Sequence, residues 1–332
     1  MDFQLPFTIP APTVHISHSD FVVLTGSCFT EHIGTKMLEG KFPALVNPQG
    51  ILFNPISIAS NLESSISKRE YKDPDIFLLN GIWSSWDFHS AFSNINMVAA
   101  LSAMNESINN THAALSKAKF LIVTFGSAYQ YFLRAEYTEL NEQYGVANCH
   151  KAPGKWFDKQ LLTIAEMQEK WKQVLASLQL FNPGLNVIFT ISPVRHYRDG
   201  LIENNRSKAR LLELTHLLVD ECSNCHYFPA YELVIDVLRD YRFYDQDMVH
   251  PNSQAAQYVW EQFVDTYMND ETKQLLKRIN EIMTASKHIE RFPGTDASIK
   301  FRQAMLSKAE RLQEEFERLD FKREIDFFKV PE

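Results

Sequence analysis

The chain has 332 residues, 45% of them hydrophobic and 22% charged, a balance that excludes a largely disordered protein. Its formal charge of −8 offers no overall attraction to a phosphate backbone, so nucleic acid is not expected as a partner. No segment approaches the about 18 consecutive apolar residues of a membrane span, and the opening MDFQLPFTIPAPTV lacks a basic region followed by a long apolar stretch. A cytoplasmic protein with no membrane partner is expected, its Cys28, Cys149, Cys222 and Cys225 free thiols.

In chain order, FVVLTGS (21–27) is a β-branched apolar run ending at glycine, and EHIGTKMLEGK follows with helical spacing. VNPQGILFNPIS is a structured loop, after which Pro55 opens a helix over 56–67. IFLLNGIWSSWDF predicts a hairpin turning at Asn80-Gly81. Residues 94–118 read as one or two helices, KFLIVTFGS (119–127) as a buried strand, and YQYFLRAEYTELNEQYGVANCH as an extended excursion. A helix over 163–181 with Met167, Trp171, Val174, Leu175 and Leu178 on one face precedes the strand NVIFTIS (186–192). A helix over 206–222, a short strand within HYFPAYELV, and a helix from 253 capped by Asn252 complete the alternation. Apolar strands alternating with amphipathic helices imply a parallel sheet covered on both faces, with the site at the carboxyl ends of its strands. Beyond residue 270, ETKQLLKRINEIM and ASIKFRQAMLSKAERLQEEFERL are charged amphipathic helices. The expected division is an α/β domain over 1–269 and a helical extension over 270–332, the latter packing on the core or building a homo-oligomer.

Gly26-Ser27 lies where a strand turns into a helix, the place at which a serine hydroxyl can be presented beside main-chain N–H groups. DQDMVHPN supplies a base, His250, with Asp247 three residues earlier to orient it. Cys28 is the rival nucleophile, against a bland reading as a small residue beneath the turn. Arg195 and His196 follow the strand that ends at Ser192 and suit substrate contact, His196 also being a rival base, while a salt bridge holding the loop is the plainer reading of Arg195. Asn148 and His150, and Asp87 and His89, are loop polar groups that either line a pocket or satisfy nearby backbone. Trp83, Trp86 and Trp156 form a carbohydrate platform or, more simply, packed aromatics. Cys222-Ser-Asn-Cys225-His226 matches haem-attachment spacing on paper, and with Cys149 and His150 offers zinc ligands, but a single Cys-x-x-Cys more often ends a helix. No metal and no cofactor is expected.

GSCF near the start, VNPQGILFNP, TFGSAY, NCHKAP, SPVRHYRDG and DMVHP, in that order from about 20 to 268, resemble the GSCFA family, placed among the SGNH or GDSL-like hydrolases. The resemblance implies a flavodoxin-like three-layer α/β/α sandwich and ester hydrolysis or acyl transfer. It puts the nucleophile on Ser27 and the Asp-x-x-His on Asp247 and His250, with an oxyanion hole from Ser27, Gly50 and Ser127. Two departures stand out: Gly26 occupies the place of the usual Asp before the serine, and Ser127-Ala128 follow Gly126 where an asparagine is usual. The expected activity is a serine esterase acting on a small-molecule or carbohydrate acyl ester, an O-acetyl group among them. An acyltransferase, or a carbohydrate-binding protein that keeps the pocket without catalysis, are the alternatives.

Overall fold

The computed structural model describes residues 6–137, 144–288 and 291–329. At its centre is a five-stranded parallel sheet in the order β10 (Cys225–Phe228), β9 (Asn186–Ile191), β5 (Phe120–Phe125), β1 (Val22–Gly26), β2 (Ala44–Val46). Strand side chains point alternately to the two faces, and both faces are buried. Val23, Leu121, Val123, Phe125, Val187, Phe189 and Ile191 enter one apolar cluster, while Val22, Leu24, Phe120, Ile122 and Ile188 enter the other. This is why the strands read as continuous apolar runs.

The first face is covered by α2 (Pro55–Ile66), α4 (Ile164–Phe181) and α5 (Gly200–Glu221), with the end of α3 (Met97–Lys117). The predicted stripe of α4 is buried, and the Trp171 indole donates to the Pro55 carbonyl at 3.0 Å. The second face is covered by α1 (Cys28–Glu39) and α7 (Ser253–Tyr267), through Phe29, Ile33, Met37, Val259, Trp260 and Phe263. A three-layer α/β/α sandwich results, as expected. The capping residues are legible: Asn54 and Thr163 accept from main-chain N–H groups at the starts of α2 and α4, and Asn252 accepts from Gln254 and Ala255.

Several details sharpen or alter the reading of the sequence. Residues 94–118 form one helix, α3, capped by Asn96. The helix expected over 206–222 begins at Gly200, because three polar residues of its first turns face the interior rather than solvent. The loop after α1 contains the three-residue strand β2, too short for a periodic signal. The hairpin of β3 (Phe77–Leu79) and β4 (Ile82–Ser84) turns at Asn80 and Gly81, both with positive φ. The excursion is an antiparallel sheet in the order β7 (Tyr144–Val146), β6 (Tyr129–Leu133), β8 (Phe157–Leu161), and its residues 138–143 lie outside the described ones.

After the short helical segment α6 (Ala230–Glu232), which continues as a π-helical stretch through Leu238, the chain crosses to α7. Helices α8 (Asp270–Ser286), α9 (Asp296–Glu315) and α10 (Lys322–Phe328) bury a cluster of their own, including Ile279, Ala309, Leu312, Phe321 and Phe328. Lys41 pairs with Glu324 at 3.0 Å across to the sandwich. Among the described residues no helix is long and apolar enough to cross a membrane.

Candidate active site at the carboxyl ends of the strands

Gly26, Thr124 and Thr190 form one row across β1, β5 and β9, and the chain beyond each leads to the site. Ser27 is the N-cap of α1, yet its side chain makes no cap bond. It is fully buried, and its Oγ has no hydrogen-bond partner. The loop from Asn47 to Asn54 is laced across the ends of β1 and β5. Asn47 N donates to Leu24 O at 2.8 Å, Leu52 N to Gly26 O at 2.9 Å, and Phe53 O accepts from Gly126 N and Ser127 N at 2.8 and 2.9 Å. The side chains of Ser27 and Phe53 crowd the same side of Gly126.

The second half of the site comes from the loop before α7. The Asp247 carboxylate accepts from His250 Nδ1 at 2.6 Å, and from the main-chain N–H groups of Val249 and His250 at 2.9 and 3.0 Å. Those hydrogen bonds, the His250 N–H first, hold the Asp247 carboxyl down at about 2. With Nδ1 committed to the carboxylate, the tautomer is set and Nε2 is the free basic position. The loop is tied to the end of β9, since Arg195 N donates to Val249 O at 3.2 Å. No hydrogen bond joins His250 to Ser27. His250 also reaches α1, where burial first and then the charge of His250 lower the His32 pKa against the opposing carboxylates of Asp245 and Glu31.

A cleft of about 490 Å³ opens beside Asp247, lined by Arg195, Tyr197, Leu201, Tyr241 and Met248 among others. Arg195 makes no salt bridge among the described residues. Its guanidinium lies over the rings of Tyr241 and Tyr244 and donates to the Tyr241 hydroxyl at 3.1 Å. His196 packs edge-on against Phe53 with ring centroids 5.4 Å apart. Burial first, then the charges of Lys208, Lys159 and His250, pull its pKa down to about 3, so it is a much weaker base than an ordinary imidazole.

The remaining expected residues are placed otherwise. Gly50 N–H already donates to Asn47 O at 2.7 Å, and Ser27 N–H to Thr124 O at 3.1 Å. The Ser127 hydroxyl accepts from Tyr129 N at 3.1 Å and lies 3.4 Å from Ser207 Oγ of α5. Asn148 and His150 are not at the cleft. Asn148 caps the N–H of His150, whose ring bonds the Ser85 carbonyl at 2.7 Å and packs against Phe77 and Trp86; these residues fasten a loop to the hairpin. Asp87 accepts from Tyr71, Tyr144 and Arg69, and His89 packs on Gly50. Trp86 stacks on Phe77 and Trp156 on Tyr137, which fits aromatic packing rather than a shared platform. The four cysteines are unpaired, Cys222 Sγ bonding Asn224. Burial and Glu31 raise the Cys28 thiol, which argues against Cys28 as the nucleophile. Among the described residues, no group of three or more His, Cys, Asp or Glu is placed to hold a metal ion.

Asn47 was not anticipated. It is buried with a left-handed φ of 41°, a conformation that asparagine tolerates better than most residues. Its Oδ1 accepts from Gly26 N at 3.0 Å, and its Nδ2 has no partner. That bond fixes the amide orientation, since an N–H must meet the oxygen. The free N–H₂ is thus held beside the Gly26-Ser27 turn.

The GSCFA family profile matches residues 21–263. The chain belongs to the GSCFA family. No curated protein matches this GSCFA chain. Among solved structures it is similar to an acetyl xylan esterase, Est2A, from the rumen bacterium Butyrivibrio proteoclasticus, with 11% identity and a TM-score of 0.34. The alignment covers 75% of the GSCFA chain and 63% of the esterase.

Proposed function

We propose that this GSCFA protein is a serine hydrolase of acyl esters, with Ser27 as nucleophile, His250 as base and Asp247 as its orienting carboxylate. The observation that carries the reading is the Asp247–His250 couple. It leaves Nε2 free on a loop bonded to the segment after β9, at the same carboxyl end of the sheet where Ser27 follows β1. The Ser27 proton passes to Nε2 as Oγ bonds the ester carbonyl carbon. The leaving alkoxide then takes that proton as the C–O bond breaks, and water repeats the sequence to release the acid. Ser27 is buried with the Phe53 ring on the same side of Gly126, so substrate entry requires that side chain to move. The cleft beside Asp247, walled by Tyr197, Leu201 and Met248, takes the acyl or sugar portion, and Arg195 binds its polar groups. The cytoplasm is the proposed compartment, and the helices after residue 270 are an extension rather than part of the reactive centre.

A fluorophosphonate probe tests this directly. It should label Ser27 in the wild type and neither Ser27→Ala nor His250→Ala. A folded wild-type protein that resists the probe removes the hydrolase reading. The full enclosure of Ser27 favours a second reading, a ligand-binding protein without catalysis, and that result would select it.

Within the hydrolase reading, the developing oxyanion is met by Asn47 Nδ2, a buried N–H₂ without a partner, while the Gly50 and Ser27 N–H groups are committed to Asn47 O and Thr124 O. Asn47→Asp keeps the acceptor for Gly26 N–H but replaces the donor with an oxygen. It is expected to lower kcat by about 10²–10³-fold with little change in KM. An unchanged kcat in the folded variant would assign the oxyanion to another donor.

A further inference from the structure

Helix α5 turns an unusual face toward the sheet. Asn204, Ser207 and Lys208 are spaced as one side of a helix, and all three are buried. Between them they serve the two segments that follow β5 and β9. Asn204 accepts from His196 N at 2.9 Å, and Ser207 Oγ accepts from Ala128 N at 2.8 Å. Lys208 Nζ donates to Gly126 O and to Ser192 O, each at 2.7 Å, and so bridges the segments after β5 and β9.

A lysine only 1% exposed calls for an explanation, because a buried charge is costly unless paired. Among the described residues no carboxylate pairs with it. An ammonium has three N–H donors, and two are used here. The acceptors are neutral carbonyls, which hold the group without cancelling its charge, and burial lowers the Lys208 pKa to about 7, so the ammonium is kept below neutral pH. Gly126, whose carbonyl Lys208 bonds, lies against the Ser27 side chain; the same charge opposes protonation of His196 and partly offsets the burial and Glu31 that raise the thiol of Cys28, the residue directly after Ser27. Ser27 Oγ and His196 Nε2 are both buried without hydrogen-bond partners. Purely structural bracing of two carbonyls does not require a charge, since a neutral amide would also donate to them.

We propose that Lys208 is a positioning residue of the Ser27 centre, its ammonium fixed between the Gly126 and Ser192 carbonyls so that positive charge faces the Ser27-Cys28 turn as negative charge develops there. The role rests on the hydrolase reading of Ser27, but the charge at the turn is measurable without it. Lysine in this place supplies electrostatic support at the strand end where the usual third-block asparagine is replaced by Ser127.

The experiment compares the full-length wild type with Lys208→Met and Lys208→Gln. Met removes charge and donors, while Gln keeps an N–H₂ for the carbonyls without the charge. Thermal unfolding identifies folded variants, and Gln serves if Met does not fold. Two rates are then read at pH 6, where Lys208 carries its charge. The first is alkylation of Cys28 by iodoacetamide, followed on its own peptide by mass spectrometry. Loss of the charge should slow it about tenfold or more, since less thiolate is present. The second is fluorophosphonate labelling of Ser27, which should also fall about tenfold or more in both variants. Equal Cys28 rates in wild type and a folded variant overturn the proposal, as does full-speed Ser27 labelling in Lys208→Gln. If the wild type takes no phosphonate, it is the hydrolase reading that fails. The Cys28 rates then still decide whether Lys208 charges the turn.

Discussion

Ser27→Ala and His250→Ala are each expected to lower ester hydrolysis by about 10⁴-fold or more, and the double variant should be hardly worse than either. Nucleophile and base act as one unit, so removing either leaves only what binding and the oxyanion donors provide. Asp247→Asn should cost about 10⁴-fold through a different cause. The amide oxygen can keep the N–H groups of Val249 and His250, which turns its N–H₂ toward His250 Nδ1. The ring must then protonate on Nε2, the position that has to accept the serine proton. The pH profile separates these roles. Because His250 and Val249 hold the Asp247 carboxyl at about 2, it remains ionised throughout the working range. Its pKa is depressed on folding, so its contribution to stability is in place above the ordinary carboxylate value and is lost as pH falls toward about 2. The acid limb of kcat/KM must therefore belong to a group other than Asp247. A limb near the ordinary carboxylate value of about 4 would contradict that assignment, and additive losses in the double variant would contradict the single unit.

The sheet was legible because its strands are covered on both faces. FVVLTG, KFLIVTF and NVIFTI had to read as unbroken apolar runs, and the helices between them carry apolar stripes with capping residues at their starts. The Asp247–His250 hydrogen bond was easier to foresee because it is local, joining residues three apart in one loop, although that spacing by itself is weak and the resemblance supplied the proposed roles. The oxyanion donors were not legible. They depend on which main-chain N–H groups remain uncommitted after the 47–54 loop is laced over the strand ends, and that is a tertiary outcome. Asn148 and His150 misled because a loop motif carries no direction, and the packing of Phe77 and Trp86 claims the ring. Asn47 and Lys208 left weaker marks. Asn47 sits immediately beyond β2, too short a strand to notice. Lys208 lies in a helix whose buried face, Leu211, Leu214 and Leu218, continues at the same spacing through Lys208, Ser207 and Asn204 toward its start. Polar residues on an apolar stripe, near the end that meets the strand ends, are the signal that would have found them.

Gly26→Ala should be the most damaging single-methyl change in the chain, and it would act on folding before chemistry. A Cβ built at Gly26 falls 2.2 Å from Thr124 O and 2.9 Å from Thr124 N and C, all main-chain atoms of the paired strand β5. No side chain can rotate away, so β1 and β5 must separate in the middle of the sheet. The φ of 140° adds strain for any residue with a Cβ. The expected loss exceeds about 4 kcal/mol, a large part of the about 5–15 kcal/mol that holds a domain folded. Gly81→Ala is the control. Its φ of 79° is also left-handed, but nothing lies within 4 Å, so only backbone strain of about 1–2 kcal/mol is expected. Urea unfolding of both variants checks the contrast, and a Gly26→Ala midpoint no lower than that of Gly81→Ala would refute it. The same crowding accounts for the departure from the resembling hydrolases. An aspartate before the nucleophile needs room for a Cβ, and here β5 takes that room. The main-chain N–H of Gly26 is bonded instead by Asn47 Oδ1, so the turn is braced by a side chain from the next loop rather than by one of its own.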